Sequence, residues 1–460
     1  MATRRSERAP GGAGGNTEAL AAEVRRGSVP LRTPQDLDPL MERIGDAHFV
    51  LLGEASHGTH EYYTWRAELS RRLIREKGFS FISVEGDWPD CYRVNRYVKA
   101  YQDSGDNARD VLHAFERWPT WMWANREVVE LAEWIRRYND QRRVPDERKV
   151  GFYGLDVYSL WDSMKAVVDY LDRIDPQLAA GAKRAYRCFE PYNEDEQEYA
   201  RATYLVPTSC EDEAVSVLRA LRSRAPEYRE DGREAYFNAE QNALVARNAE
   251  LYYRTMVRGG SASWNVRDHH MVDTLGRLMA YHRQANPDAK AIVWEHNTHI
   301  GDARFTNMAA SGMVNVGQLV REAHGTDGVV LVGFGSHRGS VIAGEEWGAP
   351  MQRMRVPEAR AGSWEDVLHR AVEGTASRDA LLVFADADDG GIPELDEPLA
   401  HRAIGVVYDP GRERWGNYVP TIVPRRYDAF VFVDESHALD PLHMPVHADG
   451  ELPETFPTGM

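Results

Sequence analysis

The chain has 460 residues and a formal net charge of −17, from 72 acidic against 55 basic side chains. This charge argues against a nucleic-acid-binding protein, which presents a basic patch or stripe, and it fits a soluble cytoplasmic enzyme. No apolar run approaches the roughly 20 residues that cross a bilayer, so no membrane segment is expected. The three cysteines are far apart without metal-type spacing, which indicates reduced thiols in a reducing compartment.

The two ends of the chain differ from the middle in composition. Residues 1–17 carry charges and glycines but no apolar segment, so they are predicted to be a disordered tail and not a signal peptide. Residues 446–460 are predicted to be an irregular tail. Residues 18–445 are predicted to form a single α/β hydrolytic domain.

The first elements alternate between helix and strand. Thr33 followed by proline predicts a helix start. Phe49 to Leu52 is a short apolar run that stops at Gly53, which is typical of a buried strand. A helical pattern follows from Glu61 and ends at Gly78, and residues 79–85 are predicted to be the second strand.

The middle of the chain is mostly helical. Residues 92–139 are rich in aromatic side chains at helical spacing, and residues 150–156 are predicted to be a third strand. Residues 159–256 then form a block of about a hundred helical residues between strands. Such a block predicts a helical insertion or cap on the α/β domain and not a separate α/β unit.

The α/β alternation then resumes. Ser363, with Asp366 three residues later, is predicted to start a helix through a capping box. Further strands are predicted at residues 291–294, 328–335, 380–384, 403–408 and 427–433. This alternation predicts an α/β fold with a mostly parallel or mixed central sheet flanked by helices on both faces.

Polar side chains follow several of these strands. They are Glu54 and His57, Glu85, Asp156, and His296 and His299. The carboxyl ends of parallel strands lie on one edge of a sheet, where ligands bind in open α/β folds. We therefore expect acid and base groups from distant parts of the chain to converge there.

Histidine and carboxylate residues at this edge suggest acid–base chemistry. His57 is the leading candidate base, because imidazole accepts protons near neutral pH, and Glu54 can orient it. The alternative is that His57 only caps the following helix. Glu85 is costly to bury unless it is paired, so it is either a site residue or a structural ion pair.

The remaining candidates are less specific. Arg66 is either a site residue or part of a solvated helix face. His296 and His299 share one face if they lie on a helix. They are then either transition-state donors or metal ligands. The alternative is that one caps a helix and the other is a core histidine. Ser56 is not expected to be a nucleophile, because the chain lacks the G-x-S-x-G elbow.

Four motifs together resemble the erythromycin esterase family over residues 30 to 440. They are Gly53-Glu-Ala-Ser-His-Gly58, Val84-Glu-Gly86, Phe152-Tyr-Gly-Leu-Asp156 and Glu295-His-Asn-Thr-His299. The resemblance implies a hydrolase that opens a macrolide lactone by water attack, without a serine acyl-enzyme. It implies that His57 is the general base and that five further residues belong to the active site: Glu54, Arg66, Glu85, His296 and His299. The family is also linked by name to succinoglycan biosynthesis.

We therefore expect an esterase that acts on a small-molecule ester or lactone, with macrolide resistance as one role. In this hypothesis Arg66, His296 or His299 stabilises the oxyanion, and no cofactor, nucleic acid or membrane takes part. One alternative is a metal-dependent hydrolase, since the same histidines and carboxylates suit Zn²⁺ or Mn²⁺. Another is a non-catalytic accessory protein of polysaccharide or secondary-metabolite biosynthesis.

Overall fold

A computed structural model describes residues 13–192, 195–205, 209–230, 232–384 and 397–443. Its strands are β1 (Ser28–Pro30), β2 (Phe49–Leu52), β3 (Phe81–Asp87), β4 (Gly151–Asp156), β5 (Ala291–Trp294), β6 (Val329–Ala343), β7 (Gln352–Val356), β8 (Ala380–Val383), β9 (Leu399–Arg402), β10 (Tyr418–Thr421) and β11 (Ala429–Ser436). Its α-helices are α1 (Ala13–Gly27), α2 (Asp38–Ile44), α3 (His60–Lys77), α4 (Trp88–Val98), α5 (Ala108–His113), α6 (Arg126–Gln141), α7 (Leu160–Ile174), α8 (Pro176–Tyr186), α9 (Glu196–Leu205), α10 (Glu211–Ser223), α11 (Ala225–Glu230), α12 (Arg233–Met256), α13 (Ala262–Arg283), α14 (Asn297–Ile300), α15 (Val316–His324), α16 (Trp364–Val372), α17 (Glu413–Gly416) and α18 (Val423–Arg426).

The central sheet is mixed, as predicted. Its strands follow the order β1-β8-β11-β6-β2-β5-β3-β4, and β7 pairs with β6. The strands from β11 to β4 in this order are parallel, whereas β1, β7 and β8 pair in the antiparallel sense. The predicted α/β fold with a mostly parallel or mixed sheet is therefore confirmed.

Strand β5 lies between β2 and β3, although it comes much later in the chain. Leu52 is in register with Trp294, and Trp294 is in register with Val84. Both pairings are parallel, so the carboxyl ends of β2, β5 and β3 are neighbours on one edge of the sheet. This order decides which polar residues can meet.

Both faces of the sheet are covered. Val50 and Leu52 of β2 pack into one cluster of buried side chains, whereas Phe49 and Leu51 pack into another on the opposite face. None of the four is more than 2% exposed. Burial on both faces explains why this strand appears as a continuous apolar run without alternation.

The block between β4 and α13 contains helices α7 to α12 and a separate cluster of buried side chains. Within it, Cys188 and Cys210 form a disulfide, with their Cα atoms 5.8 Å apart. The expectation that all cysteines are reduced is therefore wrong for this pair; Cys91 is free and buried. Because disulfides persist mainly in oxidising compartments, the cytoplasmic location stays a prediction. The division into one domain with a helical insertion at residues 159–256 also stays a prediction.

One predicted strand is wrong. Residues 403–408 do not form a strand; the strand in this region is β9, which ends at Arg402 and pairs with β10. Ile404 instead forms a single bridge with Ser56 in the loop after β2, and its N–H donates to the carbonyl of Ala55. The apolar run reflects burial against this loop and not a place in a sheet.

Both predicted tails fall largely outside the described residues. The disordered tail was expected to extend to residue 17, whereas α1 begins at Ala13 and its helix packs against α16. Residues 1–12 and the irregular tail at residues 446–460 lie outside the described part of the chain. Among the described helices, none combines the length and apolar character needed to cross a membrane.

Candidate active site

The structure brings the polar residues that follow β2, β3 and β5 to one edge of the sheet. Glu54 and His57 follow β2, Glu85 lies near the end of β3, and His296 and His299 follow β5. The six residues predicted for the site are all buried: Glu54, His57, Arg66, Glu85, His296 and His299. The expected convergence of distant groups is therefore present, but the six residues occupy different positions in it.

Glu54 links His57 to Arg66. One carboxylate oxygen, Oε1, accepts a hydrogen bond from Nδ1 of His57 at 2.9 Å, and Oε2 accepts one from Nη2 of Arg66 at 2.6 Å. The guanidinium also packs over the rings of Tyr63 and Trp294, at 4.3 and 4.6 Å from their centroids. Arg66 is fully buried and holds Glu54, and its oxyanion role stays a prediction.

The environment of His57 favours its protonated form. Burial opposes a charged imidazole, but the negative charge of Glu85 and the hydrogen bond with Glu54 outweigh burial and raise the pKa of His57. With Nδ1 bonded to Glu54, Nε2 is the nitrogen that remains to accept a proton. A base with an oriented ring and a carboxylate partner fits general base catalysis.

Glu85 is an anion held by cationic and N–H donors. Its Oε1 accepts a hydrogen bond from Nη2 of Arg267 at 2.6 Å, and its Oε2 accepts one from the backbone N–H of His296 at 2.8 Å. Burial alone would raise the pKa of Glu85, but His299 and His57 in their protonated forms, together with Arg267, lower it well below its usual range. Glu85 therefore acts on His57 through its negative charge and not through a hydrogen bond to the His57 ring.

Arg267, on α13, is the centre of this network and was not assigned to the site from the sequence. Its Nε and Nη2 donate to the two oxygens of Asp156 at 2.9 and 2.7 Å, and its Nη1 donates to Nε2 of His299 at 2.9 Å. The guanidinium therefore joins the ends of β3 and β4 to the segment after β5. Asp156, named as a polar strand end without a role, is its bidentate partner.

The sequence contains a signal for Arg267. Trp264, Met271 and Leu275 are buried at helical spacing on α13, and both Arg267 and Asp268 fall on this stripe. Charged residues on the apolar face of a helix are rarely buried unless they are paired. A charged pair at this position therefore indicates partners in the interior.

His299 is held on both ring nitrogens. Nδ1 lies 3.0 and 3.1 Å from the oxygens of Asp268, and Nε2 accepts from Arg267, which can only donate. The ring also stacks on Trp264 with centroids 4.4 Å apart. Because neither nitrogen has a free hydrogen, the predicted oxyanion role of His299 does not fit its position.

His296 has a free donor. Its Nδ1 lies 2.8 Å from Oγ1 of Thr298 and accepts from the Thr298 backbone N–H at 3.2 Å, so the proton of the neutral ring is on Nε2. Nε2 has no hydrogen-bond partner of good geometry among the described residues, although the backbone carbonyl of Ala55 interacts with the ring. Burial and the nearby His57 lower the pKa of His296 well below its usual range, which keeps the ring neutral.

A cavity of about 70 Å³ opens at this edge. Its polar lining includes His57, Glu85, Asp156 and Arg267, and its apolar lining includes Phe115, Trp118, Met122, Trp123, Tyr158 and Trp347. Trp118 and Trp123 therefore line this cavity, whereas Trp121 is fully buried. The cavity places the candidate base beside apolar walls, as in many ligand sites.

Ser56 is not placed as a nucleophile. Its hydroxyl is buried and hydrogen bonds with the hydroxyl of Thr59, and it does not line this cavity. Among the described residues, no histidine is hydrogen bonded to this hydroxyl. The geometry agrees with the expectation that the serine beside His57 is a neighbour of the base.

The donor atoms that a metal would need are already bonded to other protein groups. Both nitrogens of His299 are in hydrogen bonds, both oxygens of Glu54 are occupied, and Glu85 is held by Arg267. Over the described ranges, no group of three or more histidine, cysteine, aspartate or glutamate side chains is arranged to hold a metal ion. The residues present therefore do not fit the metal alternative, and the absence of a cofactor stays a prediction.

Comparison with known proteins gives relatives along most of the chain. The family model described as erythromycin esterase matches residues 74–436. Erythromycin esterase type II of Escherichia coli is 22% identical over 373 residues, which cover 76% of this chain and 83% of that protein. The matched range of the family model includes Glu85, His296 and His299, whereas Glu54, His57 and Arg66 precede it.

Solved structures share the fold. A protein from Bacillus cereus has a TM-score of 0.75 at 18% identity, over 93% of this chain and 99% of its own. A succinoglycan biosynthesis protein has a TM-score of 0.73 at 20% identity, over 92% and 98%. A mutant of the erythromycin esterase EreC in its open conformation has a TM-score of 0.61 at 16% identity, over 88% and 95%. The family model matches more than half of the residues of this chain, so the chain belongs to the erythromycin esterase family. Membership of this family supports the prediction of an esterase-like hydrolase.

Proposed function

We propose that this chain hydrolyses a carboxylic ester or lactone with a water molecule that His57 activates, without a serine acyl-enzyme. The observation that supports this most is the pairing of His57 with Glu54 at the wall of the cavity. Glu54 holds Nδ1, so Nε2 is free to take a proton from water. Ser56, the adjacent hydroxyl, has no such base.

The proposed reaction has two proton transfers. Nε2 of His57 accepts a proton from water while the water oxygen bonds to the ester carbonyl carbon, which gives a tetrahedral oxyanion. The carbon–alkoxy bond then breaks, and His57 returns the proton to the leaving oxygen. The products are a carboxylic acid and an alcohol, joined in one chain if the substrate is a lactone.

Carboxylates around His57 stabilise the charge that the base acquires. Glu54 bonds the imidazolium directly, and Glu85 raises the pKa of His57 by its charge. A carboxylate partner that orients the ring and stabilises its protonated form is the arrangement of known histidine bases. Glu54 therefore orients the base, and Glu85 sets its basicity.

His296 is the proposed oxyanion donor. Its neutral ring has an Nε2 hydrogen without a partner, and its centroid lies 4.9 Å from that of His57. A preorganised donor of this kind is typically worth about 3–4 kcal/mol of transition-state stabilisation. Of the other donors considered from the sequence, His299 has both ring nitrogens engaged, and Arg66 is bound to Glu54 through Nη2.

The size of the cavity bears on the substrate. Its volume of about 70 Å³ is below the roughly 300–1,000 Å³ of pockets that enclose drug-sized ligands. In this conformation the cavity takes the ester group and a small apolar neighbour, and a macrolactone requires a wider cleft. The related EreC mutant is described in an open conformation, so macrolide cleavage and macrolide resistance are proposed for an opened form of this chain.

The proposed partner is therefore a small-molecule ester or lactone, and we propose no role for nucleic acid, membrane or cofactor. A cytoplasmic location is proposed with it.

The test uses purified protein and a panel of aryl esters, aliphatic lactones and erythromycin. Hydrolysis by the wild type, loss of turnover in His57→Ala and no pre-steady-state burst are expected. Full turnover in His57→Ala rules out the assigned base.

A second candidate is a non-catalytic role in polysaccharide biosynthesis. It is favoured by the likeness to a structure named as a succinoglycan biosynthesis protein. No hydrolysis of any panel member, together with saturable binding of one ligand in calorimetry, supports this candidate. Assays before and after dialysis against a chelator test the metal-dependent alternative, which predicts that activity is lost.

A further inference from the structure

Asn297, directly after His296, has a buried side chain that bonds to a strand two positions away in the sheet. Its Nδ2 donates to the carbonyl of Phe334 in β6 at 2.6 Å, and its Oδ1 accepts from the N–H of Phe334 at 3.2 Å. The sheet order is β5, β2, β6, so this amide spans the end of β2. Asn297 is 1% exposed, and both polar ends of its side chain are satisfied.

The backbone of Asn297 also forms hydrogen bonds on both its N–H and its carbonyl. Its N–H donates to the carbonyl of Glu54 at 2.8 Å, and its carbonyl accepts from Nη2 of Arg426 at 2.7 Å. The residue therefore joins the segment that carries His296 to the segment that carries Glu54 and His57. Neither contact involves the cavity.

Gly53 shows how closely the two segments approach. A Cβ atom at this position would lie 2.1 Å from Oδ1 of Asn297 and 3.1 Å from Cδ1 of Ile300. Non-bonded atoms do not approach to 2.1 Å in a packed interior, so a side chain here would displace the amide. Gly53 is thus needed because the Asn297 amide lies across it.

We propose that Asn297 is a positioning residue that sets the gap between the rings of His57 and His296 by clamping the segment after β5 across Gly53. Its catalytic consequence rests on the proposed function. The clamp fixes Glu54 through the backbone on one side and His296 through the adjacent peptide on the other. Errors of about 1 Å in such placement can cost on the order of 100-fold in rate.

The first test compares Asn297→Ala with Asn139→Ala. Asn139 is a buried asparagine whose side chain also bonds the backbone, at Val150 just before β4, but it lies at the opposite end of the sheet. We expect Asn297→Ala to lower kcat by about 100-fold with little change in KM. We expect Asn139→Ala to lower only the unfolding temperature. Equal kcat in the two variants at a temperature where both are folded overturns the proposal.

The second test uses Gly53. Gly53→Ala should also lower kcat, because the new methyl group displaces the amide, and the double variant with Asn297→Ala should be no worse than the poorer single variant. Additive losses show that the two residues act separately and overturn the proposal. If Asn297→Ala fails to fold, Asn297→Ser removes the same contacts with Phe334 and takes its place.

A third measurement does not depend on turnover. In protein labelled with ¹³C at histidine, the His57 signal is identified by its loss in His57→Gln and titrated with pH. We expect the His57 pKa to shift in Asn297→Ala and to stay the same in Asn139→Ala. If no ester is cleaved, the proposed function fails, and this titration still decides the positioning role. An unchanged His57 titration overturns it.

Discussion

The imidazole rings of His57 and His296 lie with their centroids 4.9 Å apart and their planes inclined by 41°. They come from the ends of two strands that are neighbours in space and distant in sequence. Their environments push their pKa values in opposite directions, up for His57 and down for His296. Two titratable groups separated in this way divide the acid and base roles of a site between them.

The pH dependence of hydrolysis should depend on Glu85. Burial lowers the pKa of His57, but the charge of Glu85 and the hydrogen bond with Glu54 together outweigh it, and the base is active only when unprotonated. Activity should therefore fall as the pH decreases through the raised pKa of His57. Glu85→Gln removes the charge, so the acid limb of kcat/KM should move to lower pH. Asp87→Asn, which changes another carboxylate of the cavity lining, is the matched control and should leave the limb in place.

The oxyanion role of His296 predicts a change in kcat. His296→Phe keeps a flat ring of similar size but lacks the Nε2 hydrogen, so kcat should fall about 10²–10³-fold while the protein stays folded. Unfolding temperatures measured beside the kinetics distinguish lost chemistry from lost structure. Retention of full kcat in a folded His296→Phe variant would remove His296 from the mechanism.

The Arg267 network predicts a large change in stability. Arg267→Met leaves Glu85 and Asp156 buried without their cationic partner, which should cost about 3–5 kcal/mol in the free energy of unfolding. The matched control is Arg126→Met, because Arg126 and Glu130 are both exposed and their pair should be worth only about 0–1 kcal/mol. Denaturant unfolding of both variants gives the comparison. Similar small losses would show that Arg267 is not the main counter-charge.

Glu295 predicts a pH-dependent stability. Neither of its oxygens has a partner within the described residues, and burial raises its pKa well above the usual range. An acid with a raised folded-state pKa loses stabilisation as the pH rises above its unfolded value of about 4.3. Glu295→Gln removes this titration, so its free energy of unfolding should exceed that of the wild type by more at neutral than at acid pH. Parallel pH curves for the two proteins would contradict this assignment.

The strands and the polar motifs that follow them along the sequence predicted much of the site. Strands β2 and β5 have the bounds predicted from the sequence, and both lead directly into the histidine motifs. The pairing of Glu54 with His57 follows from residues three positions apart in one tight segment. Local contacts of this kind depend on few residues, so sequence patterns and family motifs capture them.

Other parts depended on long-range packing. Arg267 lies on a helix far from the strand ends, and its partners are defined only when α13 packs on the sheet. Arg66 and His299 were assigned the same role as His296, but Arg267 and Asp268 occupy both ring nitrogens of His299, and Arg66 is bound to Glu54. The apolar run at residues 403–408 was interpreted as a strand because burial and strand formation produce the same composition.

The sequence by itself determined the mixed α/β fold, the polar strand ends and the family, because these follow from local patterns of apolar and polar residues. Only the tertiary structure decided that β5 lies between β2 and β3, and therefore that His57 and His296 share one site. The physical reason is that strand order and buried ion pairs arise from packing between distant segments. For the same reason, only the structure shows that Asn297 crosses Gly53 and that Arg267 is the counter-charge of Glu85.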